Sequence, residues 1–141
     1  MKRLVSLALV LVLAASLVAC GSKAAYKDGT YTAEADEFHN GWKDHVEVTI
    51  SGGKITSVVY NPVGEDGGDK IAASKGGNYV MTEDGPLWHE QSEAFGKYVV
   101  DNQGVDKLVL NDDGKTDAIS SVSISLSGAT ELVKKCLEQA K

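Results

Sequence analysis

The sequence predicts an α+β fold: a small antiparallel sheet with helices packed on one face, ending in a C-terminal helix. Three observations predict it. Val46, Val48 and Ile50 alternate with polar residues, and a second run, Ile55 to Asn61, follows directly after Gly52-Gly53. Leu87, Gln91, Ala94, Phe95, Tyr98 and Val99 fall at helical spacing, and so do Ala129, Leu132, Val133, Cys136, Leu137 and Ala140. The links between these runs are short, which favours antiparallel neighbours and a two-layer arrangement.

The elements follow in chain order. Asp28-Gly29 is a turn that opens a strand over Tyr26 to Asp36, with Tyr31, Ala33 and Ala35 on one side. Phe38 to Lys43 is a connection. The runs at Val46–Ile50 and Ile55–Asn61 form a hairpin, which Pro62 ends. Gly64 to Gly77, rich in Gly, Asp and Lys, is expected to be a loop. Its Glu65, Asp66 and Asp69 do not have the spacing of a calcium-binding loop. Pro86 to Asn102 is a helix stopped by Asn102-Gln103-Gly104. Val105 to Leu110 is a strand, Asn111 to Gly114 a turn, and Ala118 to Leu126 another strand. The last helix starts near Gly128, where Ser127 or Gly128 caps it and Glu131 completes a cap pattern. Thr130 is then expected on the polar face with Lys134 and Glu138.

Residues 1–25 differ from the rest. Lys2 and Arg3 form a basic head, and Leu4 to Val18 is apolar apart from Ser6 and Ser16. An apolar run of about 15 residues suits a secretory leader, whereas a spanning helix needs about 20. Leu17-Val18-Ala19-Cys20-Gly21-Ser22 looks like a bacterial lipobox. It implies a signal peptide over 1–19, acyl chains on Cys20, a lipidated tether over 20–25 and one domain over 26–141. Two or three acyl chains suffice for stable anchoring at the extracytoplasmic face of the cell membrane.

Cleavage before Cys20 leaves 122 of the 141 residues, enough for one modest core. Without Lys2 and Arg3 the count is 12 basic against 20 acidic residues, a net charge of −8. That surface repels nucleic acid and anionic headgroups, so membrane attachment falls to the lipid. With Cys20 acylated, Cys136 has no partner for an internal disulfide. Its place in the last helical stripe is that of a small buried hydrophobe.

No Ser-His-Asp order, Walker loop or GxGxxG is present. His39, His45 and His89 lack metal-ligand spacing. Trp42, Trp88 and Tyr60 suit either packing or stacking on a planar ring. The informative residues are Trp88 to Gln103 (WHEQSEAFGKYVVDNQ), Gly104-Val105-Asp106 and Thr116-Asp117-Ala118-Ile119-Ser120, with the opening Asp28-Gly29-Thr30-Tyr31-Thr32 and the hairpin Val46–Val59. Together they resemble the small extracytoplasmic FMN-binding domain. That domain also occurs in redox subunits of bacterial ion-pumping complexes and in flavinylated lipoproteins of extracellular electron transfer.

The resemblance implies an electron carrier, not an enzyme, with redox partner proteins and a separate flavin transferase that uses FAD. The family signature is Asp-x-x-Ser/Thr-Gly-Ala-Thr/Ser, and its last hydroxyl becomes esterified to the FMN phosphate. Gly and Ala before that hydroxyl leave room for a bulky phosphate. Two registers stand. In the first, Asp117, Ser120 and Ser123 fill the Asp, Ser and attachment positions, with Ser121 and Val122 in place of Gly and Ala. In the second, Ser127-Gly128-Ala129-Thr130 spells the string and Thr130 is the attachment residue, with Ile124 where Asp belongs. The first precedes the last helix, as the family's site does. The alternative function is a non-redox ligand- or protein-binding lipoprotein with a degenerate flavin site.

Overall fold

The computed structural model describes residues 25–141. The leader, Cys20 and most of the 20–25 tether lie outside the described residues. The main sheet has three antiparallel strands in the order β1-β3-β4: β1 (Gly29–Glu34), β3 (His45–Ser51) and β4 (Lys54–Tyr60). A two-stranded ribbon joins β2 (Trp42–Lys43) to β5 (Val63–Gly64). Three helices follow: α1 (Lys70–Lys75), α2 (Trp88–Asn102) and α3 (Ser127–Gln139).

The predicted hairpin is β3–β4. Gly52 and Gly53 take φ of 61° and 73°, the left-handed pair that matches the twist of a tight hairpin. Val46, Val48 and Ile50 of β3 and Ile55, Val58 and Tyr60 of β4 form the buried face. Both long helices cover that face: α2 lies along β4, and α3 lies along β3 and β1. Phe95 and Val99 from α2 and Leu132, Val133 and Cys136 from α3 close the core. A Cβ at Gly96 would stand 2.3 Å from the Val58 carbonyl oxygen, so glycine lets α2 sit directly on the strand.

The two ends of α2 are fixed to the two ends of β4. Ser92 Oγ donates to the Tyr60 carbonyl at the far end of the strand. Gln103, left-handed at φ 55°, stops the helix. Its Nε2 donates to the Ile55 carbonyl and its Oε1 accepts the Ile55 N–H, both at 2.9 Å.

Several sequence expectations are corrected. Leu87 lies just before α2, where its N–H donates to Glu90 Oε2 at 2.8 Å, so it is no part of the helical stripe. Trp42 and Lys43 form a strand inside the expected connection. The 64–77 loop contains α1, because Asp69 Oδ1 accepts the Ala72 N–H at 2.8 Å and caps the helix. Residues 105–110 and 118–126 are not strands. The second segment buries Ile119, Val122 and Leu126 at gaps of three and four, and Ser121 is left-handed at φ 61°, which no regular strand admits.

Candidate functional site

Asp117, Ser120 and Ser123 share one irregular loop between α2 and α3. The loop is held from below by its apolar residues: Ile119 and Val122 are buried, while Asp117, Ser120, Ser121 and Ser123 are exposed. Thr116 is buried, and its Oγ1 accepts the Ala118 N–H at 3.1 Å, which starts the turn. Further along, the Leu126 N–H donates to the Gly114 carbonyl at 2.7 Å and delivers the chain to α3.

The principal clamp is Gln91, which is 1 % exposed. Its Oε1 accepts the N–H of Ser123 at 2.7 Å and of Ile124 at 3.1 Å, and its Nε2 donates to the Pro86 carbonyl at 3.0 Å. Ser123 Oγ also donates to the same oxygen, at 3.4 Å, although the residue is exposed. A cleft of about 380 Å³ opens here, lined by Pro86 and the loop from Thr116 to Ser123. A second cleft of about 250 Å³ shares Thr116 and Asp117 and adds Lys107, Val109 and Lys115.

Sequence reasoning placed Gln91 on the core stripe of α2 without giving it a role. A polar side chain inside an apolar stripe is the signal, since a buried amide requires partners. The left-handed Ser121 carried no sequence signal beyond its place opposite the signature glycine.

Thr130 lies elsewhere, in the first turn of α3. It is buried, not on the polar face with Lys134 and Glu138. Its Oγ1 is 2.9 Å from the carbonyl oxygens of both Leu126 and Ser127, so its hydrogen is committed to the helix's own backbone. Leu126, which has no side-chain cap, precedes the helix, and Ser127 is its first residue. Gly128 faces Asp44: a Cβ there would meet Asp44 Oδ2 at 2.2 Å.

The aromatic candidates are engaged in packing. Trp88 and Tyr60 are buried, with ring centroids 5.4 Å apart, and Phe95 meets Tyr60 at 6.1 Å. Tyr60 Oη donates to Asp44 Oδ1 at 2.8 Å; burial and the Asp44 carboxylate keep that phenol protonated far above its ordinary range. Trp42 packs edge-on to Tyr79, and Lys70 Nζ sits 4.4 to 5.3 Å from the Trp42, Tyr79 and Trp88 rings. His89 Nδ1 is 2.9 Å from Ser74 Oγ, a partly buried contact that packs α1 against α2.

Among the described residues, no helix is long and apolar enough to cross a membrane. No family model matches the chain. Over 52 residues it is 50% identical to the 15 kDa lipoprotein of Treponema pallidum, a match covering 36% of each protein. The chain thus spans about a third of that relative's length. A crystal structure from Clostridium perfringens shares the fold, with a TM-score of 0.62 at 24% identity over 82% of this chain and 88% of the other. A solution structure from Clostridium thermocellum superposes with a TM-score of 0.63 at 42% identity, covering 82% of this chain and 92% of that one. At that identity and coverage, the chain belongs to the same family as the Clostridium thermocellum protein.

Proposed function

We propose that the chain is a lipoprotein anchored by acyl chains on Cys20, and that its 117–123 loop carries FMN on Ser123 for electron transfer outside the cell membrane. One observation carries the flavin reading. Ser121 occupies the place of the signature glycine and adopts the left-handed backbone, φ 61°, that glycine favours. Serine thus stands at that position in a conformation that glycine adopts without strain.

The surroundings fit an attachment site. Val122, in place of the signature alanine, is buried with the core and also lines the cleft beside Ser123. The cleft of about 380 Å³ offers room beside the hydroxyl, and the adjoining cleft, which shares Thr116 and Asp117, carries Lys107 and Lys115. Bound FMN would supply reversible one- and two-electron transfer. The chain's own part is to fix the Ser123 backbone through Gln91, to present the hydroxyl and to hold the loop rigid. For the anchor, support comes from the lipobox and from the Treponema pallidum relative, whose name is that of a lipoprotein.

Intact mass of the full chain, produced in a lipoprotein-processing bacterium with a flavin transferase, tests both halves. The expected product carries acyl chains at Cys20 and the mass of FMN less water. S123A loses the flavin mass and keeps the lipid, whereas T130A keeps both. A colourless natural protein that accepts flavin only after S121G and V122A exchanges would favour the alternative, a non-redox binding lipoprotein with a degenerate site.

A further inference from the structure

The tether and the Ser123 loop leave the domain at opposite ends. Ala25, the first described residue, lies against Gly53 in the β3–β4 turn, and the Gly53 N–H donates to Asp28 Oδ1 at 2.8 Å. At this same end Gln103 closes α2 onto Ile55. The Ser123 loop is fixed instead to Gln91, in the first turn of α2, next to Ser92 and the Tyr60 end of β4. From Lys54 to Tyr60 the strand covers about 20 Å. From Gln103 to Gln91 the helix covers about 18 Å.

Covalent geometry then limits how the domain can sit. The five peptide links from Cys20 to Ala25 span at most about 18 Å, whatever their conformation. To turn the Ser123 end toward the bilayer, the tether would have to run back along the whole domain and past the loop. It is too short. We infer that the Ser123 loop faces the aqueous side, and that its reaction partner is a water-soluble protein domain, not a lipid-dissolved redox carrier meeting the loop in the acyl layer. This rests on the lipid anchor and Ser123 site proposed above, and it names the kind of partner that can reach that site.

Fluorescence quenching by nitroxide-headgroup lipids tests it. The lipidated full chain, reconstituted in phosphatidylcholine vesicles, carries one label at K54C or at A118C; both positions are exposed, and Ser123 is left intact. The K54C label should lose most of its emission and the A118C label almost none. Equal quenching at the two positions overturns the inference. Failure to float with the vesicles overturns it through the anchor. The flavin mass of the unlabelled natural chain reports separately on the Ser123 site, so its absence with the quenching pattern intact would sink the attachment reading and leave the orientation standing.

Discussion

The side-chain oxygen of Gln91 accepts the backbone N–H of Ser123 at 2.7 Å, joining the first turn of α2 to a loop 32 residues later. The same oxygen takes the Ile124 N–H at 3.1 Å, and the amide nitrogen is satisfied by the Pro86 carbonyl. One buried amide thus sets where the exposed Ser123 hydroxyl stands. In Q91L two loop N–H groups lose their acceptor and the Pro86 carbonyl loses its donor. The expected cost is about 1–3 kcal/mol in denaturant unfolding. Amide exchange at Ser123 and Ile124 should accelerate much more than exchange in β3, and unchanged protection at those two amides would refute the clamp.

Ser121 holds a side chain in the left-handed region at φ 61°. That conformation costs an L-residue about 1–2 kcal/mol, while glycine loses about 0.5–1 kcal/mol more on ordering. The balance predicts that S121G is neutral or stabilising by up to about 1 kcal/mol. S121V should be clearly destabilising, because a branched Cβ fits this backbone poorly. Thermal unfolding of the two variants checks the order, and equal melting temperatures would remove the argument.

The sheet and long helices were legible because each carries its own periodicity. Val46, Val48 and Ile50 alternate and are buried; Phe95 and Val99 fall on a helical stripe and are buried. The 105–126 segment misled because Leu108, Val109 and Leu110 look like a strand, yet Val109 is 78 % exposed and no ladder pairs the segment. Alternation shows that a residue run could form a strand but supplies no partner edge. α1 was hidden for another reason: its one buried residue is Ser74, so six residues held by the Asp69 cap carry no apolar stripe. In the site, Asp117, Ser120 and Ser123 were legible as a motif. Gln91 was legible only as a polar residue on the apolar stripe of α2; its partners are backbone N–H groups, which leave no side-chain pattern to identify them.

Cys136 is fully buried, its Sγ 3.7 Å from the Val46 carbonyl oxygen, and burial pushes the thiol up from 9.0 to about 11. The folded chain therefore keeps this proton where the unfolded chain releases it. Stability from this group is complete below pH 9 and is lost as the pH rises through about 11. The detergent-solubilised full chain should resist alkylation at Cys136 until denaturant is added. C136A should cost about 1 kcal/mol for the cavity and flatten the alkaline loss of stability. Rapid labelling of the native thiol at pH 8 would contradict this.

Gly128 and Asp44 provide the last prediction, which concerns the Ser127-Gly128-Ala129-Thr130 string. Its last three residues each have a structural role in the fold. Gly128 leaves room for the Asp44 carboxylate, Ala129 is fully buried, and Thr130 bonds its own helix. A Cβ at position 128 would meet Asp44 Oδ2 at 2.2 Å, and Asp44 is in turn the acceptor for Tyr60 Oη. The clash must be relieved by moving a hydrogen-bonded carboxylate or the start of α3. G128A should therefore destabilise by about 1–3 kcal/mol. In a D44A background the clash disappears, so the same exchange should cost far less, and the coupling in a double-mutant cycle should be of the order of 1 kcal/mol or more. Additive effects would show that Gly128 serves something other than Asp44, and would reopen a ligand role for this string.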